Sequence, residues 1–401
     1  MRAPRALLSA LLLVRLADEW FSFLPAGIVE PLHAELGLSY AQAGTLLVVL
    51  PAGGLIGTPL AVAADHVSRR MLASAGAIVY GLCLLAFATS SSFPTLVAAA
   101  FVMGAASDAL VHGCEVALVD LAGDALAPAL ARVNLLGLVG DVLGPLLLSA
   151  VAAAGLGWRA AFMIGAALML AYGGWLASQP LPPPRPSHER PRPFEGVREV
   201  LRDRWVLRLA FVATVFSIFD EPFFGFSIAY LERVRGQPHS LATAIVATVV
   251  AGGIAGSALV ARRGGRSLER TLFLGSLAIL ASIAGIIAAP AVPMQVLAAL
   301  VFGAAGAIVW VALQGALLGA HPGLAGTTTA VWSTIELLGI GFPLLVGMVA
   351  DAHGLRAALW LYAVAACLFV ALVATISGER RDPGGGSGAA ISHATADSPS
   401  S

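Results

Sequence analysis

Apolar runs of about 20 residues recur from one end of this chain to the other, each long enough to cross a bilayer as an α-helix. Twelve can be placed, at about 6–28, 40–64, 71–89, 93–118, 128–154, 160–177, 205–230, 239–261, 268–289, 292–319, 323–349 and 356–376. Composition agrees. The 401 residues are 58% hydrophobic and 11% charged, more apolar surface than a water-soluble domain can bury. That excludes a soluble enzyme, a nucleic-acid binder and a secreted scaffold. The first ten residues imitate a signal peptide, but the run continues to about Ile28 and reads as the first span.

All 23 basic residues are arginine, and 23 acidic residues balance them, so placement matters more than net charge. With the N-terminus inside, the cytoplasmic segments hold seventeen arginines; the other side holds only Arg159, Arg233, Arg235 and Arg356. Both termini are therefore expected in the cytoplasm. Residues 178–204 read as a cytoplasmic linker, Pro-rich at first, with a short amphipathic helix expected from about Phe194. The Gly/Ser-rich segment 378–401 is expected to be disordered. Cys83, Cys114 and Cys367 fall inside apolar runs and form no motif.

The chain repeats itself. Ala17–Phe21, with Asp18 and Glu19, matches Phe219–Phe223, with Asp220 and Glu221. Ala52–Gly57 matches Ala251–Gly256, and Trp158–Phe162 matches Leu355–Leu359. Two six-helix bundles follow, 1–177 and 205–377, with a substrate path expected between them.

This layout resembles the major facilitator superfamily along nearly the whole chain. After the second span, Gly57, Asp65, His66, Ser68, Arg69 and Arg70 resemble the family's motif A, with His66 and Ser68 in place of Arg and Gly. The resemblance implies a gating role for Asp65, Arg69 and Arg70. In the fifth span, Gly140, Gly144 and Pro145 resemble the antiporter motif C, which implies export and a gating role for these three. The glycines permit close helix approach and the proline bends the span. The fourth span lacks the arginine that exporters place near Phe101–Gly104, so proton-coupling roles based on that residue do not transfer.

Carboxylates inside a membrane are costly and must face a polar cavity or a partner. Here they outnumber the embedded basic residues Arg15 and Arg208. Asp108, His112 and Glu115 share one helix face and are suited to hold a proton, an organic cation or a divalent metal; a hydrogen-bond network locking the helix is the plain alternative. Arg15 is placed to neutralise Asp18 or Glu19. Repeat symmetry places Asp18–Glu19 and Asp220–Glu221 on facing walls of one cavity, with Pro222 breaking the helix there. Asp141 is a proton carrier or a helix-contact hydrogen bonder, and Asn134 on the same helix is a path-lining candidate. Trp332 with Glu336, and Trp310 with Gln314, are either parts of a cation site or core packing. Glu30, His33 and Glu35 read as a solvated outer loop.

The inferred activity is alternating access with proton antiport, exporting a cationic organic substrate. Against it stands a low aromatic content of 7%, with few aromatics beside the acids. A divalent-metal carrier and a proton-coupled importer of a small polar nutrient are the alternatives; a receptor that reuses the fold is a weaker one. No enzyme motif is found. No cofactor is expected beyond protons as coupling ion. The expected partners are a small-molecule or ion substrate and the lipid bilayer, with no nucleic acid. The chain is expected to be a monomer in a cell membrane, read as a prokaryotic plasma or inner membrane.

Overall fold

The computed structural model describes residues 5–63, 68–122, 126–181, 196–263, 267–321 and 325–379. Eighteen helices and no strand occur among the described residues: α1 (Arg5–Leu12), α2 (Val14–Ser22), α3 (Leu24–Gly27), α4 (Val29–Leu36), α5 (Tyr40–Ala63), α6 (Arg69–Thr89), α7 (Phe93–Ala122), α8 (Leu126–Ala153), α9 (Trp158–Ser178), α10 (Val197–Val200), α11 (Arg204–Ser217), α12 (Glu221–Arg233), α13 (His239–Arg263), α14 (Leu268–Ala288), α15 (Val292–Ala320), α16 (Ala325–Glu336), α17 (Phe342–His353) and α18 (Leu355–Glu379). Nine segments among the described residues are long and apolar enough to cross a membrane, α11 and α12 counting as one. The runs expected at 6–28 and 323–349 are instead interrupted helices, α1–α4 and α16–α17.

The interruptions have local causes. Pro25 and Pro222 each sit in the first turn of a new helix, where a missing N–H costs nothing. Pro343 does the same for α17 after the turn at Leu337–Gly341. The chain does not leave the bundle at Ile28: α4 carries it on to Leu36 before Gly37 closes it with a left-handed φ of 65°. Glu30, His33 and Glu35 are thus helical, not a solvated loop. Glu30 is buried and accepts a 2.6 Å hydrogen bond from Tyr40 Oη. His33 stacks on Tyr40, and Glu35 accepts from Trp158 Nε1 at 2.6 Å and pairs with Arg159. The amphipathic helix expected from Phe194 is a single described turn, α10; the Pro-rich stretch before it lies outside the described residues.

Within each half, helices interlock through glycine. A Cβ at Gly53 of α5 would strike the Phe101 carbonyl of α7, and one at Gly104 of α7 would strike the Leu50 carbonyl of α5. The same reciprocal seating joins α13 and α15, Gly252 against Leu300 and Gly303 against Val249. Each position in the second set falls 199 residues after its counterpart. The internal repeat is therefore a repeat of backbone contacts as well as of residue types.

Across the halves, α5 packs on α17, α8 on α13, and α12 on α3 and α4. Asp351 of α17 accepts from the Tyr40 and Ala41 backbone amides, both at 2.8 Å, capping the start of α5 from the opposite half. Ser149 Oγ donates to the Ser240 carbonyl at 2.8 Å, and Arg233 lies 4.0 Å from Glu30. These contacts gather at the end of the bundle opposite to the one where α9 ends and α11 begins.

Candidate functional site: an acidic and aromatic cavity

The chain unwinds between Ser217 and Glu221, and Asp220 takes an extended conformation, with φ −100° and ψ −148°. Its carbonyl accepts from Phe223 N at 2.8 Å, so α12 restarts at once. The break delivers two adjacent carboxyls to a cavity of about 310 Å³. Asp141 and Pro145 of α8 line it from the N-terminal half, and Glu336 lines it from the end of α16. Four carboxyls thus meet one volume, with no Arg, Lys or His among its lining residues.

Six aromatic rings stand among the aliphatic and glycine residues of the remaining walls. Phe23, Phe216, Phe219, Phe224, Phe302 and Trp310 all contribute. Phe216 stacks on Trp310 at 6.0 Å, and Trp310 meets Trp332 at 5.2 Å. The expectation of few aromatics beside the acids is thus overturned. Composition averages over the chain, whereas this cavity collects rings from three stretches distant in sequence. Trp332 itself is buried behind Trp310, with its indole nitrogen unpartnered, and neither it nor Gln314 lines the cavity.

Asp18 and Glu19 do not face Asp220 and Glu221 across this volume. The register of α2 turns Asp18 toward α7, where Ser107 Oγ donates to its carboxyl at 2.5 Å. Glu19 is held by Arg15 at 3.3 Å, and the same guanidinium reaches Glu115 of α7 at 2.9 Å. Arg15 therefore joins two acids rather than neutralising one. Asp108, one turn before His112, faces α5 so closely that a Cβ at Gly54 would come within 3.3 Å of its carboxylate. No group of three potential metal-binding side chains converges among the described residues, and Glu115 accepts from Arg15 at 2.9 Å.

One residue that sequence reasoning passed over connects the two acid clusters. Ser22, three and four residues after Glu19 and Asp18, donates to Glu221 Oε1 at 2.9 Å. The repeat pairs Glu221 with Glu19, so no signal in the sequence pointed to Ser22.

The motif-C-like glycines pack α8 onto α2. A Cβ at Gly140 would lie 2.6 Å from the Leu16 carbonyl and 3.0 Å from Glu19 Cβ, and one at Gly144 would lie 2.8 Å from Phe23 Cβ. They hold Asp141 at the cavity edge. Of the motif-A-like residues, Asp65 lies outside the described residues, Arg69 is buried at the start of α6, and Arg70 is exposed. Ser68 caps α6 by accepting from Met71 N. Asn134 lies on α8, but its side chain is outside what the structure describes.

A profile of the Major Facilitator Superfamily matches residues 10–342. No curated protein matches the sequence closely enough to be reported as a relative. Among solved structures, the chain is similar to a bacterial homolog of the human lysosomal transporter Spinster in an inward-facing and occupied conformation. That match has 19% identity and a TM-score of 0.75, covering 92% of this chain and 96% of the other. It is also similar to the nucleoside transporter NupG, at 11% identity and a TM-score of 0.75, over 94% and 100% of the two chains. The D-xylose–proton symporter gives 15% identity and a TM-score of 0.72, over 93% and 97%. At these identities the likeness concerns the fold.

Proposed function

This chain belongs to the Major Facilitator Superfamily of membrane transporters, and on that premise we propose that it is a proton-coupled exporter of a cationic organic substrate. The observation that carries the proposal is the cavity, with four carboxyls, no basic side chain and six aromatic rings. Carboxylates and aromatic faces both attract an organic cation, the rings more strongly once water is excluded. A carboxyl buried in such a place holds either a proton or a cationic partner, because an isolated charge there is costly. Exchange of the two is antiport.

In the proposed cycle, Glu221 and Asp220 give up protons to take the cation from the cytoplasmic side. Asp141 contributes the opposing wall from the N-terminal half, and Glu336 closes the site from α16. Rocking of the halves then exposes the cavity outward, where protons displace the cargo. The Asp18–Ser107 and Arg15–Glu19–Glu115 contacts form a second acidic station in the N-terminal half, joined to the cavity through Ser22. The arginine asymmetry supports cytoplasmic termini, and the resemblance of the α8 glycines to motif C supports export. The divalent-metal alternative has no convergent donor set among the described residues behind it.

The test is reconstitution into proteoliposomes carrying a pH-sensitive dye. Organic cations and divalent metals are added on separate arms. Proton flux driven by organic cations alone, and lost in Asp220→Asn and Glu221→Gln, is the expected result. Flux driven by metals alone, or no flux with any organic cation, would overturn it.

A further inference from the structure

The acidic cavity has a shape as well as a charge. One face of α15 lines it, with an aromatic residue at each end and small residues between. Phe302 and Trp310 stand eight residues apart, about 12 Å along the helix axis. Gly303, Gly306 and Ala307 line the interval. The wall that passes from α11 into α12 repeats this order, from Phe216 through Asp220 and Glu221 to Phe224. Ring contacts join the two walls at both ends, Phe216 to Trp310 at 6.0 Å and Phe224 to Phe302 at 6.1 Å. Between those contacts lies a slot, with two carboxyls on one side and a floor of small residues on the other.

The glycines of that floor are of two kinds. Gly303 serves packing, since a Cβ there would strike the Val249 carbonyl of α13. Gly306 does not. Among the described residues, a Cβ at Gly306 would meet only Phe216 Cζ within 4 Å, at 3.8 Å. Gly253 of α13 lines the same slot, and its Cβ would lie 3.8 Å from the Gly303 carbonyl and 3.9 Å from Ala307 Cβ. These are ordinary van der Waals distances, so alanine fits at either position without displacing a neighbour. Glycine is the poorest helix former after proline. What these two glycines supply over alanine is space inside the cavity.

The acids define the occupant of that space. Asp220 and Glu221 fall between the ring contacts and not at the ends of the slot, so they meet a charge borne on the body of a cargo rather than at the tip of a tether. A flat body laid on the glycine floor comes close to the backbone of α13 and α15 and presents its edges to the aromatic ends. We propose, on the reading of this cavity as an organic-cation site, that Gly253 and Gly306 set its specificity. They keep the slot open for a planar aromatic cation whose charge is carried in the ring system.

Equilibrium binding to the purified full chain tests this, with N-methylquinolinium, phenethyltrimethylammonium and tetraethylammonium as probes of equal charge. N-methylquinolinium is expected to bind at least tenfold more tightly than the other two. Gly253→Ala and Gly306→Ala should each weaken it about tenfold and bring the three probes close to parity. Thermal stability should hold or rise in both variants, because alanine favours the helix. Equal affinity of the three probes for the unaltered chain would overturn the inference and leave the cation site standing. So would an undiminished preference in both alanine variants, or a preference lost only together with thermal stability. Phenethyltrimethylammonium binding as tightly as N-methylquinolinium would overturn the placement of the charge in the ring. Binding of none of the probes would remove the cation site and the inference together.

Discussion

Ser22 holds a position that no acid in the cavity shares, because its hydroxyl bonds a carboxyl of the opposite half. A hydrogen bond to a charged group contributes about 1.5–3 kcal/mol. A cation that takes Glu221 competes for that oxygen, so binding and release of the halves draw on one contact. Ser22→Ala is expected to leave cation affinity equal or higher and to slow turnover about tenfold, with Ser22→Thr restoring it; equilibrium binding and transport measured side by side decide this. Equal loss of binding and turnover would reduce Ser22 to a packing residue. Arg15 makes a different case. It serves both Glu19 and Glu115, and Arg15→Gln leaves two acids without their cation. Because the trio is about one-third exposed, solvent screens part of the loss, and a cost on the order of 1–2 kcal/mol is expected. A thermal melt should show that Glu115→Gln recovers part of it in the double variant.

At the scale of the helix, α8 depends on having no side chain where it crosses α2. Gly140→Leu forces a side chain into the Leu16 carbonyl, and overpacking of this kind costs about 1–3 kcal/mol. The expected outcome is lowered thermal stability together with weakened cation binding, since Asp141 follows directly in the chain; unchanged binding would show that α8 does not position it. Much at this scale was legible in the sequence. Apolar runs gave the helices, and Pro222 announced the break that brings Asp220 and Glu221 to the cavity. The course of α4 was not legible. Glu30, His33 and Glu35 look solvated in isolation, and their partners, among them Tyr40, Arg233, Trp158 and Arg159, lie outside the segment. The aromatic lining escaped for the same reason: Phe23, Phe216 and Phe302 become neighbours only once the halves are packed. The repeat announced two acid pairs, but helix register, which it does not encode, turned Asp18 and Glu19 to other partners.

For the whole molecule, the decisive contacts are those joining the halves at one end. Asp351 caps α5 across that junction, satisfying two backbone donors of the opposite half. Loss of a cap costs about 1 kcal/mol, here only while the halves are joined at this end. Asp351→Ala should therefore shift the population toward an outward-open form by about fivefold. The measurement is labelling of Ala307→Cys in the cavity by a membrane-impermeant thiol reagent, with Cys83, Cys114 and Cys367 replaced. No change in the rate of labelling would remove Asp351 from the junction's energetics. The reciprocal glycine seats carry a consequence of another kind. Gly53 and Gly104 meet their partner carbonyls as Gly252 and Gly303 do, 199 positions later. A saturation mutagenesis profile of this chain should therefore correlate with itself at a lag of 199, its intolerant positions recurring as twins where the surrounding side chains have long since diverged.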